Sequence, residues 1–167
     1  MGINIKEKIE FIKHYLSYDA NTGNLIWLRT RSNRASVGSK AGCVNTQGYS
    51  VVQVGGCLMY HHHIAWALYH KEWPMNEIDH INGNRNDNRI ANLRLVTSSQ
   101  NSFNMRLSIR NTSGIKGVHW DDVRKKWEIS IKAGAKRYRK RFADKELAEL
   151  VAIELRDKYH KEFARHA

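Results

Sequence analysis

The stretch NEIDHINGNRNDNRIANLRLVTSSQN, from Asn76 to Asn101, carries seven asparagines. So many side-chain amides are costly in a core, but they suit a loop that visits left-handed backbone and bonds to itself. The flanks narrow the options. Glu77–Ile81 and Leu93–Val96 read as two short strands, and Thr97-Ser98-Ser99-Gln100 has the pattern of a capping box with Thr97 as N-cap. The segment is therefore expected to run strand, polar loop, strand, helix. Asp79 and His80 are adjacent on the first strand, so their side chains point to opposite faces. Asn101 stands at the entrance of the helix. Asp and Asn oxygens suit a hard cation such as Mg²⁺, and a neutral imidazole beside one is placed to take a proton from water. Ion, base and phosphate together would make a hydrolytic site for a phosphodiester.

Around this segment the chain of 167 residues reads as α+β. Ile5, Ile9, Ile12 and Leu16 recur at helical spacing; YDANTGNLIWLR then supplies turn chemistry and a strand at Leu25–Leu28. Residues 29–40 form an Arg/Ser/Gly-rich basic loop. Tyr49–Val54 and Leu58–His62 read as a hairpin turning at Gly55-Gly56, followed by a short helix from His63 to Lys71. Residues 106–115 lose periodicity and are expected to be a linker. Val118–Trp120, Trp127–Lys132 and Lys136–Phe142 then read as strands, and Leu147, Val151, Leu155 and Tyr159 as the apolar stripe of a final helix.

The net charge of +12 is not spread evenly. Residues 1–48 hold seven Lys/Arg against three acids, residues 49–105 four against four, and residues 106–167 seventeen against nine. Basic flanks around a neutral middle suit a polyanion lying across both, and the run KRYRKR (Lys136–Arg141) is the densest cluster. Nucleic acid is favoured over a membrane surface, since no basic amphipathic helix is evident. No apolar run approaches the roughly 18 to 20 residues that span a bilayer.

The middle segment resembles the HNH endonuclease family, whose nuclease element is the ββα-metal (His-Me finger) fold. The resemblance begins at Tyr60-His61-His62-His63-Ile64-Ala65-Trp66, continues through Glu77–Asn84, Asp87-Asn88-Arg89 and Ala91–Arg94, and closes at Val96-Thr97 and Gln100-Asn101. YDANTGNLIWL also resembles what precedes this element in phage-type members. The resemblance implies that Asp79 and Asn101 hold a metal ion, that His80 is the general base, and that Asn92 braces the loop of the catalytic centre. This chain has Asn101 where the name-giving motif has its final His, which favours Mg²⁺ or Mn²⁺ over zinc. Asn82, Asn84, Asn86 and Asn88 are expected to shape the loop. Arg85, Arg89 and Arg94 are candidates to clamp phosphates, with a solvated surface role as the alternative for each. His61, His62 and His63 on a strand would divide between two faces, which makes a three-histidine metal site awkward. They are expected to be structural or to contact DNA.

Residues 113–164 resemble the Apetala/ethylene-response-factor DNA-binding domain, through Gly117-Val118, Trp120, Lys126-Trp127, Ile129, Ile131, Phe142 and the closing His160-x-Glu162-Phe163-Ala164. That family lays a three-stranded sheet into the major groove. Arg139 and Lys140 replace its usual Leu-Gly. The resemblance makes Lys116, His119, Arg124, Lys132, Arg137 and Arg139 candidates for DNA contact, with Trp127 in the core.

The expected organisation is an N-terminal helix, strand and basic loop (1–48), an HNH nuclease domain (49–105), a linker (106–115) and a DNA-binding domain (116–167). The expected activity is metal-dependent cleavage of double-stranded DNA by a monomer that nicks, as in phage homing enzymes. A DNA-binding regulator with an inert nuclease centre is the alternative, and an RNA-directed nuclease is disfavoured. Cys43 and Cys57 lack zinc-ligand spacing and are expected to be incidental core residues of a protein in the reducing cytoplasm of a bacterial host.

Overall fold

The computed structural model describes residues 4–33, 35–105 and 107–164. Arg34 of the expected basic loop and Arg106 at the head of the expected linker lie outside them. The architecture is α+β, with four α-helices and antiparallel sheets among the described residues. The chain separates into two compact units, Met1–Thr97 and Ser98–Ala167.

In the first unit, helix α1 (Ile5–Tyr15) begins with a complete capping box between Asn4 and Glu7. Strands β1 (Leu16–Asp19) and β2 (Asn24–Trp27) form a hairpin whose turn is held by Asp19, which accepts from Asn21 N–H and from the Thr22 hydroxyl. Strands β3 (Cys43–Val44), β4 (Ser50–Val54) and β5 (Cys57–Tyr60) make a three-stranded sheet. Its tight reversal is at Gly55-Gly56, both at positive φ. Ile12, Leu16, Leu25, Val52, Val54 and Ile64 close the core of this unit, and each fully buried aliphatic side chain contributes about 1.5–3 kcal/mol.

Two expectations need correction here. Helix α2 runs from His61 to His70, so the three histidines lie on its first turn and not on a strand. The helical stripe His61–Ile64–Ala65–Leu68 extends two residues further back than the apolar residues alone suggest. Both cysteines are exposed: Cys43 sits on β3 and Cys57 opens β5, two edge strands with unfilled outer sides.

Strands β6 (Glu77–His80) and β7 (Leu93–Val96) form the hairpin that carries the asparagine-rich loop. Ala65, Trp66, Ile78 and Leu93 pack α2 beneath it.

The second unit opens with α3 (Ser98–Asn104). Within the stretch expected as a linker, Ser113 is buried and its hydroxyl lies 2.9 Å from the carbonyls of both Ile115 and Val118. Strands β8 (Val118–Asp121), β9 (Lys126–Ala133) and β10 (Lys136–Phe142) form one antiparallel sheet. Helix α4 (Lys145–His160) is capped by Asp144, whose carboxylate accepts from Leu147 N–H at 2.7 Å. Val118, Ile129 and Ile131 from the sheet meet Ala148 and Ala152 of α4. The two alanines let the helix approach closely.

Candidate active site

The loop between β6 and β7 is built from its own amides. Asn82 Oδ1 accepts from Asn84 N–H at 2.8 Å, and Asn84 Oδ1 accepts from Asn86 N–H at 3.1 Å. Asn82 Nδ2 reaches forward to Asp87 at 2.8 Å, and the Ser50 hydroxyl donates to Asn86 Oδ1. Asn92 spans the loop's mouth: its Oδ1 accepts from Asn82 N–H at 3.0 Å and its Nδ2 donates to the Asp87 carbonyl at 2.8 Å. Side chains thus satisfy much of a twelve-residue connection, residues 81–92, that a hairpin ladder alone would leave unpaired.

At the loop's base, Asp79 and His80 are 6% and 4% exposed. The Asp79 carboxylate accepts from Arg94 Nε at 2.9 Å and Nη2 at 2.8 Å, the two residues being opposite each other across β6 and β7. Arg94 thus sets the orientation of that carboxylate. His80 Nε2 lies 3.2 Å from Asn88 Oδ1. The Asn88 amide is oriented by its Nδ2, which donates to the Asn86 carbonyl at 3.2 Å. Its oxygen therefore faces the imidazole. Since an amide oxygen only accepts, the neutral ring carries its proton on Nε2 and its lone pair on Nδ1. Burial pushes the His80 pKa below the usual histidine value, while the Asn88 hydrogen bond and the Asp79 and Asp87 carboxylates oppose the shift. At neutral pH the imidazole is a base.

Asn88 is 2% exposed and stands in a support that the sequence did not disclose. The Tyr18 hydroxyl, from β1, donates to the Asn88 carbonyl at 2.7 Å. Gly23, in the β1–β2 turn at φ +73, lies so close that a Cβ there would meet Asn88 C at 2.6 Å and Arg89 N at 2.5 Å. Only glycine permits that approach. The N-terminal hairpin is thus a buttress for the loop that orients His80. The signal available was the YDANTGNLIWL stretch itself, with Tyr18 at its head.

The three arginines of the segment all have internal partners. Arg94 holds Asp79; Arg89 pairs with Asp87 at 2.6 Å and holds that carboxyl down at about 2. Arg85 donates to the Gln47 carbonyl at 2.9 Å and lies 4.7 Å over the Tyr49 ring.

His62 is 5% exposed, between Tyr49 and Tyr60, with its ring edge-on to His80 at 5.2 Å. Among the described residues no group of three or more His, Cys, Asp or Glu side chains comes together as a metal site. Burial lowers His61 to about 4 and His62 to about 3. Both are neutral in the fold, whereas the unfolded chain protonates them near the ordinary value of about 6.5. Their contribution to stability is therefore complete above that pH and is lost as pH falls toward 4 and then 3, by at most about 1.4 kcal/mol per pH unit for each. Chemical denaturation should show a clear loss between about pH 7 and pH 5; equal stability at both would contradict the burial of these rings.

Asn101 lies on α3 in the second unit and is half-buried. In that unit His119, Lys132, Arg137 and Arg139 lie on the sheet face opposite α4, as their register partners Glu128 and Ser130 require. Arg141 shares that face but is neutralised by Glu128 at 2.6 Å and Asp121 at 3.4 Å. Arg124 pairs with Asp121 at 3.1 Å in the β8–β9 turn. Lys116 does not lie on this face; its Nζ is 3.4 Å from the Phe103 carbonyl. Trp127 is half-buried against the core.

Comparison with known proteins finds a family match over this segment. Residues 59–103 match the family model described as HNH endonuclease, a span that runs from the end of β5 to α3 and contains Asp79, His80, Asn92 and Asn101. The chain is 39% identical over 90 residues to Protein 3.8 of Escherichia phage T7, an alignment covering 53% of this chain and 73% of that protein. No solved structure matches. No helix among the described residues is long and apolar enough to cross a membrane. With the loop, its buried Asp-His pair and these two matches in view, the chain belongs to the family of phage T7 Protein 3.8 and carries an HNH endonuclease domain.

Proposed function

We propose that the protein is a metal-dependent endonuclease that hydrolyses phosphodiester bonds in duplex DNA, one strand per active centre, in the manner of phage homing enzymes. The observation that carries this reading is the buried, neutral His80, with its proton fixed on Nε2 by Asn88 beside a carboxylate fixed by Arg94. His80 Nδ1 takes the proton from the water that attacks the phosphorus. The products are a 5′-phosphate and a 3′-hydroxyl. Asn92 keeps the loop closed so that the base does not drift.

The donor set fits a divalent cation that prefers oxygen. Asp79 and Asn101 would hold it, and one carboxylate with one amide leaves most positions to water and phosphate, as Mg²⁺ or Mn²⁺ prefers. When bound, the ion supplies Lewis-acid stabilisation of charge building on the phosphate and the leaving 3′ oxygen.

The exposed basic face of the β8–β10 sheet supports duplex binding by an Apetala/ethylene-response-factor-type domain. Lys132, Arg137 and Arg139 would supply the cationic contacts, with His119 beside them. Arg141 contributes less, because its charge is already met.

Asn88→Ala should lower cleavage about tenfold with duplex affinity unchanged, the usual scale for losing a group that orients a catalytic side chain. Unchanged cleavage would show that Asn88 only shapes the loop. The reading as a whole is tested by digesting end-labelled phage and host DNA with the full chain, with and without Mg²⁺, and mapping both strands. Metal-dependent breaks bearing 5′-phosphates support it. Binding without breaks would make the protein a DNA-binding regulator.

A further inference from the structure

Strand β10 is the edge of its sheet, with β9 beside it and β8 beyond. The register sorts its side chains onto two faces. Lys136, Tyr138 and Lys140 stand opposite Ala133, Ile131 and Ile129, on the side where Ile129 and Ile131 meet α4. Arg137, Arg139 and Arg141 stand opposite Lys132, Ser130 and Glu128, on the other side. A strand in a two-layer fold ordinarily buries one of its faces. Here every residue from Lys136 to Arg141 is exposed, on both sides. The core is made by β8, β9 and α4, and of β10 only Phe142 packs against it. Tyr138 leans on the last turn of α4, its ring stacked on Tyr159 with centroids 4.8 Å apart. On either side of that stack, Lys136 and Lys140 face solvent.

Five of the six residues 136–141 are cations. Carboxylates meet Arg141, but among the described residues none pairs with Lys136, Arg137, Arg139 or Lys140. Arg137 donates to the Ser130 hydroxyl at 3.2 Å, and Lys140 lies 5.8 Å from the centre of the Phe142 ring. A lysine keeps an edge strand from pairing with another chain. Four unpaired cations on one strand also repel one another, and a polyanion relieves that repulsion. The connection Gly134-Ala135 leaves the tip of the β9–β10 ribbon without bulk. The major groove of B-form DNA, about 12 Å wide, admits a two-stranded ribbon, and a phosphate strand runs along each wall. We propose, on the reading that this sheet binds duplex DNA, that β10 enters the major groove edge-on as a two-sided fin. Arg137 and Arg139 meet phosphates of one strand, and Lys136 and Lys140 meet those of the other. The helix side of β10 then binds DNA as well as the face opposite α4.

The test is the salt dependence of duplex affinity, followed by fluorescence anisotropy with the full chain and without divalent metal, so that the DNA stays intact. Each phosphate contact on B-DNA contributes about 0.9 to the slope of log affinity against log salt. Lys136→Gln with Lys140→Gln should lower that slope by about 1.8, and Arg137→Gln with Arg139→Gln by about as much. All four together should lower it by about 3.6. Lys125→Gln with Lys145→Gln is the control for lost charge, since these cations are already paired with Asp122 and Glu149. That pair should keep the wild-type slope. Duplex RNA of the same sequence should compete poorly, because its major groove is too narrow to admit side chains. If the Lys136 and Lys140 variant keeps the wild-type slope while the Arg137 and Arg139 variant lowers it, the proposal is overturned and one-faced duplex binding stands. A control pair that lowers the slope as much, or RNA that competes as well as DNA, overturns it too. If no pair changes the slope, or the wild-type chain does not hold duplex DNA, the duplex reading of this sheet fails and the fin with it.

Discussion

His80→Ala is expected to lower the rate of strand cleavage by about 10²-fold or more, while affinity for duplex DNA stays within a factor of about two. The expectation follows from the order of the groups around the ring. Tyr18 fixes the Asn88 backbone, Asn88 fixes the Nε2 proton, and the remaining lone pair is on Nδ1. Alanine removes that lone pair, and the neighbouring His62 is a poor substitute: burial holds it near 3, and its ring lies edge-on at 5.2 Å. The substitution also opens a space beside Tyr49, so cleavage has to be read with circular dichroism showing a folded chain. Cleavage at the wild-type rate would show that the proton leaves by another route. Activity should also decline as pH falls, since burial depresses the His80 pKa and only the neutral ring acts as base.

Asp79→Ala should abolish metal-dependent cleavage, with no recovery at raised Mg²⁺, and it should cost stability as well. Arg94 is mostly buried, at 17% side-chain exposure, and would lose its carboxylate. Removing one partner of a buried ion pair costs on the order of 3 kcal/mol. The two effects separate by a second substitution. Asp79→Ala with Arg94→Leu removes the buried cation together with its carboxylate, so denaturation midpoints should return most of the way toward wild type. Cleavage should not return. If the double variant cleaves, or if Mg²⁺ alone restores the rate of Asp79→Ala, the carboxylate at 79 is not a ligand of consequence. If Asp79→Ala is as stable as wild type, the Arg94 pair is weaker than its geometry implies.

Much of the fold is legible in periodicity and turn chemistry. Strands β7 and β10 match the sequence reading residue for residue, and α4 starts directly after Asp144 because an aspartate followed by a helical stripe is a strong start signal. The failures have physical causes. Leu16 completes the apolar spacing of α1, yet it opens β1, because the four residues Leu16–Asp19 pair with Asn24–Trp27 across a turn that Asp19 closes. His61 and His62 are polar in composition, but as neutral rings they bury like core residues, and α2 begins with them.

The candidate site divides in the same way. The residues proposed to do chemistry come as a spaced motif, and the family match spans their positions. The residues that orient them were hidden. Asn88 is one more asparagine in a run of loop formers; only the folded loop shows its amide turned onto His80. Arg94 reads as a phosphate clamp until the β6–β7 register places it opposite Asp79. Lys116 reads as an exposed cation until α3 brings the Phe103 carbonyl to it.

The proposed sharing of one cation by Asp79 and Asn101 is tested most directly by a double-mutant cycle on Mn²⁺ affinity, read by electron paramagnetic resonance. Asp79→Asn, Asn101→Leu and the pair together are titrated against the wild-type chain. One bound ion is expected in the wild type, with a large loss of affinity in each single variant and a double variant little worse than either, as for groups sharing one ligand. Mn²⁺ binding left intact by both single substitutions would contradict it.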